Sequence, residues 1–240
     1  MSLFSHGDRN TPRRCVSTMR RFYRSLVGTD VFYRPSVRCT RLRLGRPGAA
    51  FTVNPELINS DSIVYSFGIG TDISFDEALV SRFSLQVHAF DPTPRSLEWL
   101  RTQVLPSGLH VHPYGVADID GTTTFDPPED PAHVSYSMMD RCCDGRVICR
   151  VQRLCTIMAM LGHQWVDVLK LDVEGSEYSV LTDMLRSNIP VGQLCVEFHH
   201  RWPQIGARKT KQAIKALHSA GYGVFDVSLS GEEYSFIKVM

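Results

Sequence analysis

Residues 62–72 read SIVYSFGIGTD, a β-prone run that leads into a Gly-x-Gly turn. The run ends at Gly68, and Asp72 or Ser74 then caps a helical pattern that continues to about Phe83. A strand, a tight glycine turn and a helix, in this order, form the opening unit of a doubly wound α/β sheet. The stretch therefore predicts the first strand and the first crossover of such a sheet.

The same unit recurs along the rest of the chain. Strands are predicted at 86–90, 110–116, 122–125, 150–154, 166–171, 192–198, 222–229 and 234–239. Helices are predicted at 94–105, 176–186 and 210–220, and a short helix is predicted to follow the strand at 150–154 and to end at about residue 161. The strand at 166–171 is almost continuously apolar, which indicates burial on both faces of a parallel sheet. A tight turn precedes the last strand, so we expect that strand to be antiparallel. The predicted fold class is α/β, doubly wound and mostly parallel, with a final antiparallel hairpin strand.

Charge divides the chain into two parts. Residues 1–46 carry eleven Arg against two Asp, whereas residues 47–240 carry 15 basic and 23 acidic side chains. Because 240 residues fit one core, we predict a basic leader over 1–46 and a single domain over 47–240. The leader is interpreted as a mobile or loosely docked arm, as a mitochondrial transit peptide, or as a surface for phosphate or anionic lipid. The sequence leaves these alternatives open.

Composition excludes several classes of protein. No run approaches the ~20 apolar residues of a membrane span, and no apolar signal segment follows Met1, so we expect a soluble, intracellular chain. Its compartment is predicted to be cytoplasmic, with mitochondrial targeting as the alternative. Seven cysteines include no C-x-x-C pair, which disfavours zinc and redox chemistry. No feature indicates specific nucleic-acid binding, and the oligomeric state stays open.

The predicted cofactor site lies where the first strands end, because open parallel sheets bind ligands beyond the carboxyl ends of their strands. Gly68 and Gly70 let the backbone approach a ligand closely. Asp91 ends the second strand, where an acid accepts hydrogen bonds from both ribose hydroxyls of a nucleoside. Asp118, after the third strand, is placed near an adenine. Ile73 stands where a dinucleotide fingerprint needs a third glycine, which disfavours NAD.

A purely structural interpretation of these residues is the alternative. Two glycines can serve only a tight turn, and Asp91 can serve only to start the turn that it opens.

A second group of polar residues follows the central strands. The segment 170–177, KLDVEGSE, packs three acids around one strand end, and Asp172 and Glu174 are expected to face the cofactor. Glu197 and His199 lie on one face of the next strand end, because side chains alternate along a strand. Together these four residues are candidates for a general base, or for holding a divalent cation that lowers the pKa of a hydroxyl. A structural hydrogen-bonded pair of Glu197 and His199 is the alternative.

Three motifs carry a resemblance to a known family. The segments 87–94 (VHAFDPTP), 115–121 (GVADIDG) and 169–177 (LKLDVEGSE) resemble the FkbM-type methyltransferase family. The resemblance covers roughly residues 60–240. Residues 65–79 are similar to a eukaryotic methyltransferase-like branch of that family.

The resemblance implies a Rossmann-like class I methyltransferase fold and S-adenosylmethionine (SAM) as cofactor. It implies that Gly68 and Gly70 flank the methionine part of SAM, that Asp91 binds its ribose and that Asp118 lies near its adenine. Enzymes of the family transfer methyl groups to hydroxyl oxygens of sugars or polyketide-derived rings. We therefore expect an O-methyltransferase with a small-molecule or glycan acceptor.

The chain departs from the family at the glycine turn. The family usually has an acid at the position of Ser66 and Ala-Asn at positions 69–70. Loss of that acid removes an expected contact to the amino group of SAM, and Asp72 is expected to substitute for it. Two other functions stay open: a catalytically silent methyltransferase fold that binds a partner, and a nicotinamide-dependent oxidoreductase.

Overall fold

The computed structural model describes residues 21–126 and 145–239, together with Met19. Its strands are β1 Leu42–Leu44, β2 Phe51–Val53, β3 Ile63–Phe67, β4 Gln86–Phe90, β5 Leu109–His112, β6 Gly115–Val116, β7 Gly121–Phe125, β8 Val147–Gln152, β9 Val166–Leu171, β10 Val191–Glu197, β11 Tyr222–Val227 and β12 Glu233–Lys238. Its helices are α1 (residues 21–26), α2 Ser74–Phe83, α3 Pro94–Leu100, α4 Leu154–Leu161, α5 Glu177–Arg186 and α6 Gly206–Ser219, with a 3-10 turn at Pro55–Leu57.

Seven strands form the central sheet, in the order β5-β4-β3-β9-β10-β12-β11. Neighbouring strands from β5 to β10 are parallel, whereas β12 runs antiparallel to both β10 and β11. The predicted doubly wound, mostly parallel sheet with a final antiparallel strand is confirmed. The chain builds β4 and β5 on one side of β3 and returns to β9 on its other side. The strand order therefore reverses between β3 and β9, where such sheets bind ligands.

The sheet is buried on both faces, as β3 illustrates. Val64 packs into one apolar cluster with Val168 of β9, and Tyr65 packs into the cluster on the opposite face with Leu169. All four of these side chains have 0% exposure. Successive residues of a strand point to opposite faces, so a strand covered on both sides needs consecutive apolar residues.

The region after β4 differs from the prediction. The single strand expected at 110–116 is two strands: β5 pairs with β4 in the central sheet, and β6 pairs with β8 in a separate sheet of order β6-β8-β7. Pro113 stands between them and has no N–H group to donate to a neighbouring strand, which ends the pairing of β5. The strand expected at 150–154 starts and ends earlier, as β8.

Two helix boundaries also differ. The helix expected to reach residue 105 ends at Leu100, and Thr102 Oγ1 donates to the Trp99 carbonyl at 2.7 Å in the turns that follow. A threonine side chain that bonds to the last carbonyls competes with continuation of the helix. The helix expected from residue 210 begins about one turn earlier, at Gly206.

The described part of the predicted basic leader packs against the domain. Strand β1 pairs with β2 across the predicted boundary at residue 46. The N–H groups of Ser36 and Val37 both donate to the Val224 carbonyl, at 2.8 and 3.0 Å, and Val31 is 2% exposed. Residues 1–18 and 20 lie outside the described residues. None of the helices in the described part of the chain has the length and apolar composition that a membrane crossing demands.

Asp30 anchors this N-terminal segment to the exit of β10. Its Oδ1 lies 2.8 Å from His200 Nε2, and its Oδ2 lies 2.9 Å from Arg201 Nη2. Burial alone would raise the pKa of Asp30, but hydrogen bonds from His200, the Val31 N–H and Arg201 outweigh it and lower the pKa. The carboxylate of Asp30 is completely buried and ionised, so its stabilising contribution depends on these partners.

We predict that Asp30→Asn lowers the free energy of unfolding by about 3 kcal/mol, because it removes the buried negative charge that pairs with Arg201 and replaces one of its two acceptor oxygens with an NH2 group. Urea unfolding at pH 7 measures the change. Asp61→Asn is the matched control, since Asp61 is exposed. Equal stability of the two variants would contradict the prediction.

Candidate active site

The turn after β3 touches the exit of β9. Gly68 has φ +74°, and a Cβ atom added there would lie 1.6 Å from the backbone carbonyl oxygen of Asp172. The Gly68 N–H donates to the Phe90 carbonyl at 3.0 Å, and the Asp172 N–H donates to the Phe67 carbonyl at 3.2 Å. Only glycine fits both the backbone conformation and the space, so Gly68 holds the ends of three strands together.

Asp91 fastens the glycine turn to the exit of β4. Its Oδ2 accepts from the Gly70 N–H at 3.0 Å, and its Oδ1 accepts from the N–H and hydroxyl of Thr93 at 2.9 and 2.6 Å. Asp91 is 4% exposed. Each carboxylate oxygen has two lone pairs, so Asp91 keeps acceptor capacity beyond these contacts.

A cavity of about 210 Å³ opens beside this turn. Six of the nine predicted site residues line it: Gly68, Gly70, Asp72, Asp91, Asp172 and Glu174. Aromatic side chains from β3 and β4, Phe67 and Phe90, supply apolar walls. The cavity combines apolar surface with a few convergent polar groups, as small-molecule sites do.

The other three predicted residues lie elsewhere. Asp118 is exposed and lines a separate open groove with Tyr178 and Arg186, so the structure does not bring it to the cavity. Glu197 and His199 are not among the described residues that line the cavity. Both lie behind it, next to Asp172 and Glu174.

His199 is held between two carboxylates. Its Nε2 lies 3.2 Å from Glu174 Oε2, and its Nδ1 lies 3.3 Å from Oε1 of Glu177. Glu177 has 0% exposure, and its Oε1 also accepts from the His199 backbone N–H at 2.9 Å. Burial alone would lower the pKa of His199, but the hydrogen bonds and charges of Glu174 and Glu177 raise it well above its usual value. His199 is therefore an imidazolium that neutralises one of its two neighbours.

Asp172 and Glu197 form a pair of interacting acids. Burial and the charge of Asp172 raise the pKa of Glu197 to about 9, against the attraction of His199. Burial also raises the pKa of Asp172, although Lys170 and His199 oppose the rise. Glu197 thus holds a proton at neutral pH, and Asp172 is the member of the pair that lines the cavity.

Asp172, Glu174 and His199 each offer a ligand atom, and the three atoms lie within 4.8 Å of one another. The number and type of these atoms would suit a divalent cation only if His199 were neutral, since a metal ligand needs a free lone pair. Both ring nitrogens of His199 face carboxylates and carry protons in that setting. These three ligand atoms therefore suit a protonated His199 between carboxylates better than a bound metal ion.

Sequence reasoning missed several residues of this region. Lys170 is buried and donates to the Phe67 and Gly68 carbonyls at 3.2 and 2.9 Å. Glu177 orients His199, and Asp76 lines the cavity from α2. The position of Asp76 in the first turn of the helix that follows the glycine turn was a signal in the sequence, because an acid there lies close to the end of β3.

Comparisons with known proteins agree with this geometry. The family model for the methyltransferase FkbM domain matches residues 40–224. The human probable methyltransferase-like protein 24 is 29% identical over 156 residues, which cover 64% of this chain and 37% of that protein. The rat protein of the same name is 32% identical over 143 residues, which cover 58% and 33%. The chain thus spans about a third of the length of these relatives.

Among solved structures, the methyltransferase FkbM from Methylobacillus flagellatus aligns with a TM-score of 0.48 and 16% identity, over 75% of this chain and 44% of that one. A putative methyltransferase from Streptococcus mutans, solved in complex with SAH, aligns with a TM-score of 0.45 and 11% identity, over 77% and 92%.

We predict that Gly68→Ala destabilises the protein far more than Gly162→Ala. Gly162 has nearly the same φ, +75°, but a Cβ there would meet no atom within 4 Å. The control therefore isolates backbone strain, about 1–2 kcal/mol. Gly68→Ala adds a backbone clash and should cost about 1–3 kcal/mol more in urea unfolding. Equal losses would show that β9 does not press against the turn.

A second prediction concerns pH. Because the pKa of His199 is raised on folding, its charge stabilises the folded state fully below the pKa of an unfolded histidine, about 6.5, and this contribution is lost as pH rises towards the folded pKa. The destabilisation caused by His199→Gln, measured by urea unfolding with a chelator present, should therefore shrink between pH 6 and pH 9. A loss for His199→Gln that stays constant with pH would contradict the assignment.

Proposed function

The chain belongs to the FkbM methyltransferase family, and on that premise we propose that it is a SAM-dependent methyltransferase acting on a hydroxyl oxygen of a small-molecule or sugar acceptor. The observation that carries the proposal is the meeting of the Gly68–Gly70 turn with Asp91 in one cavity at the point where the strand order reverses. The names of the human and rat relatives agree with methyl transfer.

The proposed cofactor site uses the backbone of the glycine turn and the carboxylate of Asp91. Gly68 and Gly70 present backbone without side chains to the cavity, and the remaining lone pair of Asp91, on Oδ2, can accept from a ribose hydroxyl. Asp72 lines the same cavity. Asp118 is not part of this proposed site, because it lies in a separate groove.

SAM, when bound, would supply an electrophilic methyl group whose leaving group, a positively charged sulfur, departs on the side opposite the acceptor oxygen. The chain has two tasks in this reaction: to align the acceptor and to receive its proton. We assign the proton to the Asp172 carboxylate, which lines the cavity and whose raised pKa brings it nearer to neutral pH. Glu174 lines the cavity beside it, bonded to His199.

Glu197 and His199 take supporting roles in this proposal. Glu197 is protonated at neutral pH and therefore does not compete with Asp172 for the proton of the acceptor. The His199 imidazolium offsets the negative charge of Glu174 and Glu177. We assign no divalent cation to this cluster, since the imidazolium occupies the place where a cation would neutralise it.

Calorimetric titration with SAM tests the cofactor site. Wild type is expected to bind, and Asp91→Asn is expected to lose about 1.5 to 3 kcal/mol of binding free energy, the cost of a hydrogen bond to a charged acceptor. Asp118→Asn is the matched control and should bind as wild type does, because Asp118 lies outside the cavity. Absence of SAM binding by wild type would refute the proposed function.

The same titrations separate the alternatives. Tight binding of NAD without binding of SAM would favour an oxidoreductase. A catalytically silent fold would bind SAM yet transfer no labelled methyl group to a panel of hydroxylated acceptors. Where transfer is detected, Asp172→Asn should abolish it while SAM still binds, because the variant removes the proton acceptor.

A further inference from the structure

Asp76 is a buried acid with an unused oxygen. It lies in the first turn of α2, it is 1% exposed and it lines the cavity described above. Its Oδ1 has no hydrogen-bond partner, and neither has the neighbouring hydroxyl of Ser66, which has 0% exposure. A buried carboxylate oxygen without a donor is costly, so such a group in a cavity wall points to a ligand that brings the donor.

The nearest cation of the chain does not supply that donor. Lys170 attracts Asp76 electrostatically, but its ammonium group donates to the Phe67 and Gly68 carbonyls at 3.2 and 2.9 Å. Its next contact is Asp172 Oδ2, at 3.7 Å. That contact is an ion pair too long for a hydrogen bond, and neither of the two hydrogen bonds that the Lys170 ammonium donates goes to Asp76. Asp76 therefore keeps an acceptor position for a second cation.

We propose that Asp76 binds the α-ammonium group of the amino-acid end of the methyl donor, a proposal that rests on the proposed function. A primary ammonium can donate to Asp76 Oδ1 and to the Ser66 hydroxyl, the two buried polar atoms that lack partners. The adenosine end lies on the other side of the glycine turn, where Asp91 accepts from Gly70. In this proposal Asp76 binds the amino-acid end of the methyl donor, and Asp91 binds its ribose.

This assignment replaces Asp72, the residue expected to compensate for the serine at position 66. Asp72 Oδ1 accepts from the Ser74 N–H at 2.8 Å, so this oxygen serves the start of α2, and the side chain is only partly buried. Asp76 lies within α2, four residues after Asp72, and its carboxylate is a neighbour of the Ser66 hydroxyl of β3, although the two groups are not aligned for a hydrogen bond. A carboxylate on the helix thereby stands next to the position where the family usually has an acid on the strand.

The test compares two probes that differ only in the part that Asp76 is proposed to bind. S-adenosylhomocysteine carries the amino-acid end, and 5′-methylthioadenosine lacks it. In calorimetric titrations, Asp76→Asn should weaken binding of S-adenosylhomocysteine by about 10-fold or more and leave binding of 5′-methylthioadenosine within about 2-fold of wild type. Asp91→Asn should weaken both probes by similar factors.

The thermal stability of Asp76→Asn without ligand checks that the variant folds. It should equal or exceed that of wild type, because burial raises the pKa of Asp76 and the substitution replaces this acid, whose ionised form is disfavoured there, with a neutral amide. A well-folded Asp76→Asn protein that binds both probes as wild type does would overturn the proposal, as would an equal loss for both. If wild type bound neither probe, the proposed function itself would fail, and with it this inference.

If Asp76→Asn proved unstable, Asp76→Glu in the same titrations keeps the charge and moves it by one methylene. Preferential weakening of S-adenosylhomocysteine would again support the assignment, and an equal loss for both probes would refute it.

Discussion

The close approach of Gly68 to the Asp172 carbonyl is the constraint on which the rest of the site depends. It joins the exits of β3 and β9, which flank the reversal of strand order. Lys170 reinforces the junction from β9 by donating to the carbonyls on either side of the turn. Because the two exits meet, the residues that follow β9 stand at the cavity that the glycine turn opens. In the proposed function, this contact places the methyl donor and the proton acceptor in one cavity.

Two buried cations neutralise negative charge in this region. Lys170 donates to the backbone of the glycine turn and lies near Asp172, and His199 pairs with Glu174 and Glu177. An acid of this region that forms no ion pair with either cation has a raised pKa and holds a proton, as Glu197 does. The arrangement leaves the Asp172 carboxylate at the cavity wall and places a proton-bearing acid behind it.

The sequence predicted the central sheet well because its signals are local. Apolar runs such as 166–171 define buried strands, and glycine turns and prolines define where they end. The position of Asp91 at a strand end likewise follows from local pattern. The placement of Asp118 does not, since Pro113 directs the chain into a second sheet and away from the cavity. Pairings between distant segments, such as Asp30 with His200, leave no periodic signal in the sequence.

Protonation states were equally hidden from sequence. Glu197 and His199 were candidates of similar standing on one strand end, yet at neutral pH the raised pKa values make Glu197 neutral and His199 positively charged. The neighbours of each group decide this: two acids hold the imidazole of His199, whereas Glu197 is partly buried and faces the charge of Asp172. These neighbours belong to residues 172–177, which the parallel pairing of β9 and β10 brings beside residues 197–199.

Strand β12 follows β11 in the chain but lies between β10 and β11 in the sheet. On the ribosome, β11 emerges before it has a neighbour to pair with, and β10 presents a free edge until residues 233–238 are made. An unpaired edge of apolar strand is a template for association with other chains. The order of synthesis therefore makes the last strand the one that closes the sheet, and nascent chains that stop short of it are those most exposed to aggregation and in greatest need of chaperones.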